Sequence, residues 1–397
     1  MPGMTVYPLT GVIRPYAWGS RTAIAELQGR PAPAEGPEAE LGLGAHPGDP
    51  STVPGPDGPV TLTTLIDGDP AGQLGAGVAE RFGPRLPYLM KVLAAAAPLS
   101  LQAHPDLKYA AEAFARQEAD PALPKNYTDA NHKPEMLVAL TPFDALCGFR
   151  PTEVSAAVLA GLDLPELEPV VAVLRDGDLS EAVRLLLTWP AEDRPALIDA
   201  VVAVASAAGE SHPHAESYRL AVDLAAHYPG DPGVLVALLL NLVHLAPGEA
   251  IWMPAGNLHA YLRGLGVELM AASDNVLRGG LTPKRVDVGE LLKVLRFETL
   301  DDPLLHGAEV APGVTAWRVP VRDFELYRIE LTEGRPPVRL PGSGPRIILG
   351  VAGDVHIGEE HGIPVTLSPG TAAYGPAAAG PLTAAGLGTV FVAAVPD

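Results

Sequence analysis

The sequence predicts a mainly β protein interrupted by a helical insertion and completed by a C-terminal β unit of barrel or jelly-roll type. Three observations carry this reading. The 397 residues include 42 Gly and 43 Pro with only 5% aromatic residues, a turn-rich composition that suits many short strands. Residues 151–228 are instead rich in Ala, Leu and Glu at helical spacing. From residue 229 strand-and-turn character returns, and after about residue 297 short strands separated by Gly and Pro continue to the C-terminus.

Taken in order, residues 86–105 read as two strands joined by a turn at the run Ala94-Ala95-Ala96-Ala97-Pro98. In the second strand, alternation puts Leu99, Leu101 and Ala103 on one face and Ser100, Gln102 and His104 on the other. Asp106 is placed to cap a helix that begins at Leu107. Within the insertion, Ser180 is read as the cap of a helix whose apolar stripe is Ala182, Leu185, Leu186 and Trp189; Tyr218, Ala221, Val222 and Ala225 repeat that spacing. Both stripes are read as core. A strand and turn follow around 245–256, a helix is predicted over 282–295, and the last region has strands at 324–331, 346–351 and 389–395.

Composition also excludes function classes. A formal net charge of −20 disfavours nucleic acid and acidic membrane surfaces, which need clustered positive charge. The longest apolar stretch, 234–245, is too short to span a bilayer and contains Asn241 and His244. The N-terminal residues do not form a secretion signal. The single Cys147 fits a reducing cytoplasm and is read as a small buried hydrophobe. The expected protein is a cytoplasmic monomer whose partner is a small molecule.

Gln102 and His104, two residues apart on one strand face, can converge on one ion. Glu135 and His259 would complete two imidazoles, a carboxylate and an amide oxygen, a set that leaves room for substrate on the cation. Spacing alone also allows histidines that merely hydrogen-bond within a β core.

Tyr16-Ala17-Trp18-Gly19-Ser20, Gly44-Ala45-His46-Pro47, Leu101-Gln102-Ala103-His104-Pro105-Asp106, Asn131-His132-Lys133-Pro134-Glu135 and the run 247–284 resemble the type I phosphomannose isomerases. The resemblance covers roughly the first three hundred residues, with Gly42-Leu43 standing where the family often has Trp-Met. It implies cupin-type double-stranded β-helix domains plus a helical domain: 1–150 and 229–296 as the two parts of a catalytic cupin domain, 151–228 as the helical domain, and 297–397 as a C-terminal cupin-like domain. It further implies one zinc ion per chain on Gln102, His104, Glu135 and His259. The activity implied is interconversion of mannose 6-phosphate and fructose 6-phosphate, a step in supplying GDP-mannose precursors.

That reaction moves a proton between two carbons of an opened sugar and needs an electrophile at the oxygens. The resemblance makes Glu268, Asp274, Lys133 and Arg278 the active-site candidates, with Tyr261 and Lys284 lining the pocket, and leaves the base open. If 268–274 is extended, Glu268 and Asp274 lie on one face. Ser100 lies about 7 Å along the strand from Gln102. Ser100 and Lys91, with Arg278 or Lys284, are the expected phosphate ligands. His46 is read as supporting a turn and His132 as a donor behind the metal ligands.

Three rival readings remain. An iron oxygenase would need only His104, His259 and Glu135; the extra Gln102 and the cations argue against it. A non-catalytic metal-binding cupin that holds phosphorylated sugars would lack the proton-transfer residues. A nucleotidyl-transferring relative would need a Gly-rich phosphate loop, and none is seen.

Overall fold

The computed structural model describes residues 5–359 and 362–397. Two antiparallel sheets dominate. An eleven-stranded sheet holds most strands between Val12–Arg14 and Leu304–Leu305, and a nine-stranded sheet is built mainly from the C-terminal region. The strand Tyr7–Leu9 crosses between them: it pairs with Ala372–Gly375 in the C-terminal sheet although it opens the chain. The sheets pack through one shared core in which Met90, Val138 and Val267 of the first meet Trp317, Leu326 and Phe391 of the second.

The strand His259–Ala271 organises the first sheet. Its first part pairs with Phe143–Phe149 and Gln102–Ala103, and its second part lies between Tyr88–Ala95 and Glu135–Ala139. The pairing changes through a register shift between Tyr261 and Arg263, followed by Gly264 at φ +131°. A Cβ there would sit 2.6 Å from Cδ2 of Phe143, so this corner requires glycine on both conformational and steric grounds.

The helical insertion leaves the first sheet after Phe143–Phe149 and re-enters at Leu240–Leu245. It extends past residue 228, because Asp231 accepts from the Gly233 backbone N–H and opens one more short helix, Gly233–Ala237. The cap of Leu179–Leu187 is Asp178, not Ser180, since the Asp178 carboxylate accepts from the Glu181 N–H. The buried face accordingly centres on Ala182, Val183, Leu186 and Leu187, while Leu185 and Trp189 flank it. Asp106 caps Leu107–Ala119 as read, accepting from the Tyr109 N–H. The helix predicted over 282–295 is confined to Val288–Val294, where Asp287 accepts from the Glu290 N–H.

The expected strand over 99–105 shrinks to Gln102–Ala103. Leu99 and Leu101 donate their N–H groups to Tyr261 and Gly280, two separate segments, so the extended chain there has no continuous ladder. The alternation still holds: Leu99, Leu101 and Ala103 are buried, and Ser100 and Gln102 face a cleft. Cys147 is fully buried, which pushes its thiol up to about 12. No helix among the described residues is long and apolar enough to cross a membrane.

Candidate active site and metal centre

His104, Glu135 and His259 come from three segments and meet in the buried interior of the first sheet, with one potential ligand atom from each lying within 4.8 Å of the others. Register fixes part of the arrangement. His259 lies opposite Gln102, Gln102 opposite Arg278, and Glu135 opposite Met270 on the same long strand.

Hydrogen bonds fix both imidazoles. Nδ1 of His104 is 2.7 Å from the carbonyl oxygen of Asn275, and Nδ1 of His259 is 3.1 Å from that of Asn257. A carbonyl only accepts, so each Nδ1 carries a proton, and each ring in its neutral form presents an Nε2 lone pair. Those lone pairs face Oε2 of Glu135, at 3.4 Å from His104 and 3.1 Å from His259. Nε2 of His104 is buried without a hydrogen-bond partner. Three acceptors converging without a proton between them is unfavourable unless a cation lies among them. Burial pushes the His104 imidazole down to about 4, which favours this neutral form.

Glu135 is ionised although burial opposes it, because the Lys133 ammonium holds its carboxyl well below the usual range. Lys133 Nζ is 2.6 Å from Oε1, which turns Oε2 toward the histidines. His104 and His259 sit behind this carboxylate, whereas Gln102, Lys133 and Glu135 line an open cleft of about 730 Å³. Ser100, Lys91, Tyr261, Glu268, Asp274, Arg278 and Lys284 line it too, so the cleft brings together all the catalytic and substrate-binding candidates named from the sequence.

Glu268 is 3% exposed, and its Oε1 accepts from the Tyr261 phenol at 2.7 Å. Burial and then the charge of Glu135 raise its pKa to about 7, although Lys91 and Lys133 lower it. The Tyr261 phenol is itself raised by burial and by the neighbouring carboxylates, so it stays a donor. Asp274 has the opposite setting: a hydrogen bond from His46, Nε2 to Oδ2 at 2.7 Å, lowers its pKa. His46 also supports the expected turn, accepting from the Gly48 N–H.

The cationic phosphate candidates do not share one environment. Lys91 Nζ lies 3.2 Å from Glu40 and 3.7 Å from Glu268, and although burial alone would lower its pKa, these carboxylates raise it. Its charge is thus shared between two buried anions. Among the described residues, Arg278 and Lys284 have no carboxylate within 4.0 Å. His132 points away from the metal centre, with Nε2 3.0 Å from Oδ2 of Asp323 at the junction with the second sheet. Its backbone is extended toward Glu135–Ala139, so residues 132 and 133 project to opposite sides.

Sequence reasoning missed Glu40, whose carboxylate reaches Lys91 from the neighbouring strand Glu40–Leu43. It also missed Asn275. That side chain is fully buried, accepts from the Thr128 N–H and donates to the carbonyls of Asp129 and Asn131, fixing the peptide that orients His104. Its place beside Asp274 in the run 247–284 was the one available signal.

Residues 6–152 match the family model described as phosphomannose isomerase type I, catalytic domain. The mannose-6-phosphate isomerase of Escherichia coli (strain K12) is 37% identical over 383 residues, covering 92% of this chain and 93% of that one. The Homo sapiens mannose-6-phosphate isomerase is 34% identical over 369 residues, covering 83% of each. A crystal structure of a mannose 6-phosphate isomerase bound with zinc and yttrium superposes with a TM-score of 0.89 at 33% identity, covering 98% of this chain and 99% of that one. Phosphomannose isomerase variants from Salmonella typhimurium superpose at 0.90 with the same coverage.

Proposed function

The chain belongs to the type I phosphomannose isomerases, and from that premise we propose that it interconverts D-mannose 6-phosphate and D-fructose 6-phosphate with one zinc ion on Gln102, His104, Glu135 and His259. The observation that carries the reading is the convergence of two Nε2 lone pairs on Oε2 of Glu135, with Nε2 of His104 buried and unpartnered. This donor set suits a borderline-soft, redox-inert cation, and the amide of Gln102 faces the same cleft. Zinc bound there supplies Lewis-acid polarisation of the sugar oxygens.

The remaining work falls to the side chains. Glu268 carries the proton between C1 and C2, because its carboxyl titrates near neutrality and is aimed by Tyr261. Lys91, held between Glu40 and Glu268, positions that carboxylate. Asp274, kept ionised by His46, takes the anomeric hydroxyl proton as the ring opens. Arg278, opposite Gln102, offsets negative charge developing on the enediolate, and Ser100 with Lys284 holds the phosphate. Lys133 keeps Glu135 oriented. The enzyme acts as a cytoplasmic monomer that feeds GDP-mannose precursor synthesis.

The test is purified protein with mannose 6-phosphate and coupled detection of fructose 6-phosphate. Chelation abolishes turnover and zinc restores it; full activity in a demonstrably metal-free preparation overturns the reading.

A further inference from the structure

A second cleft, of about 630 Å³, backs onto the first: His132 and Pro134 line it, while the alternate residues Lys133 and Glu135 line the active cleft. Four arginines border it from separate parts of the chain, namely Arg81, Arg85, Arg296 and Arg322. Each is exposed, and among the described residues none has a carboxylate within 4.0 Å. Arg81 and Arg85 donate only to the carbonyls of Gly77, Pro396 and Phe82, which leaves guanidinium N–H groups free on both.

The two acids in the lining are already engaged. Asp323 is buried and meets His132, and Asp106 caps its helix. A chain of net charge −20 therefore gathers four unpaired guanidiniums around one concavity. Planar guanidinium forks match phosphate oxygens, and four of them around one cleft can serve more than one phosphate. Trp252, Phe82 and Val321 line the same cleft, so it offers apolar and aromatic surface beside the guanidiniums. Its size is that of a small-molecule site.

We propose that this cleft binds a nucleoside diphosphate, with its phosphates among the four arginines and its base against Trp252. Calorimetric titration of the zinc-loaded full chain with ADP and with orthophosphate tests this, using R85A/R322A and S100D/K284A as comparisons. ADP is expected to bind the unaltered protein more tightly than orthophosphate does. Affinity should fall at least tenfold in R85A/R322A, with isomerase turnover unchanged, and persist in S100D/K284A. If the double variant misfolds, R296A, altered at an exposed side chain, takes its place. No ADP binding at millimolar concentration overturns the proposal, as does orthophosphate binding equal to that of ADP. Affinity lost in S100D/K284A and retained in R85A/R322A also overturns it, because the ligand then occupies the active cleft. Each readout is binding, so the outcome is independent of which sugar the enzyme isomerises.

Discussion

The Tyr261 phenol donates to Oε1 of Glu268 at 2.7 Å inside the barrel, joining two residues of one strand across its corner. A hydrogen bond to the ionised form favours it. Tyr261→Phe is therefore expected to move the acidic limb of the kcat/KM profile up by about one pH unit, the equivalent of a charged hydrogen bond of about 1.5 kcal/mol. An unmoved limb separates Tyr261 from the titration of Glu268.

Glu268→Gln keeps the shape and removes the carboxyl proposed to carry the proton. Loss of roughly 10²- to 10⁴-fold in kcat is expected, with KM little changed. Exchange of the C2 proton with solvent should stop, and persistent exchange would assign the proton to Asp274 or Lys133.

The pH dependence has a definite sign. Glu268 titrates near about 7 when folded, above its ordinary value of 4.5. A raised carboxyl favours the protonated folded state, so its contribution to stability is complete below 4.5 and lost as pH rises through about 7. Melting temperatures of chelated protein should show this decline between those limits, and Glu268→Gln should flatten it. A cation on Glu135 offsets one of the charges that raise Glu268, so with zinc bound the acidic limb of activity is expected at or below pH 7.

Metal should also stabilise the fold. Zinc at a hundredfold excess over its Kd adds about 2.7 kcal/mol, read as a higher Tm than in chelated protein. In His104→Ala the gap between loaded and chelated Tm should shrink sharply. An undiminished gap would place the ion elsewhere.

Ser100→Asp and Lys284→Ala address the phosphate end. Each is expected to raise KM for the phosphorylated sugar by roughly 10- to 100-fold, the range of one charge-assisted hydrogen bond, and to change kcat less. An unchanged KM in both variants removes this assignment.

The metal centre was legible chiefly through the ordered motifs, since its candidate ligands lie far apart in the chain and spacing alone also allowed histidines that merely hydrogen-bond. Its one local element is Gln102 and His104, which alternate with buried Leu101 and Ala103. What the sequence withheld is mostly long-range pairing. His46 meets Asp274 across 228 positions, and Glu40 reaches Lys91 only because their strands are neighbours. Lys91 looked like a phosphate ligand because its two buried carboxylate partners cannot be inferred from a single strand. The caps failed or held on local chemistry: Asp106 was unambiguous, whereas Asp178 and Ser180 compete two residues apart and the carboxylate wins.

The corner at Gly264 ties two halves of the chemistry into one covalent part. His259 lies before the bend and Glu268 after it, so the bend sets the distance and angle between the metal end and the proton-carrying end. Neither end can drift without dragging the other. A side chain added at that glycine, remote from the substrate, would detune the alignment between them while leaving every reacting group in place.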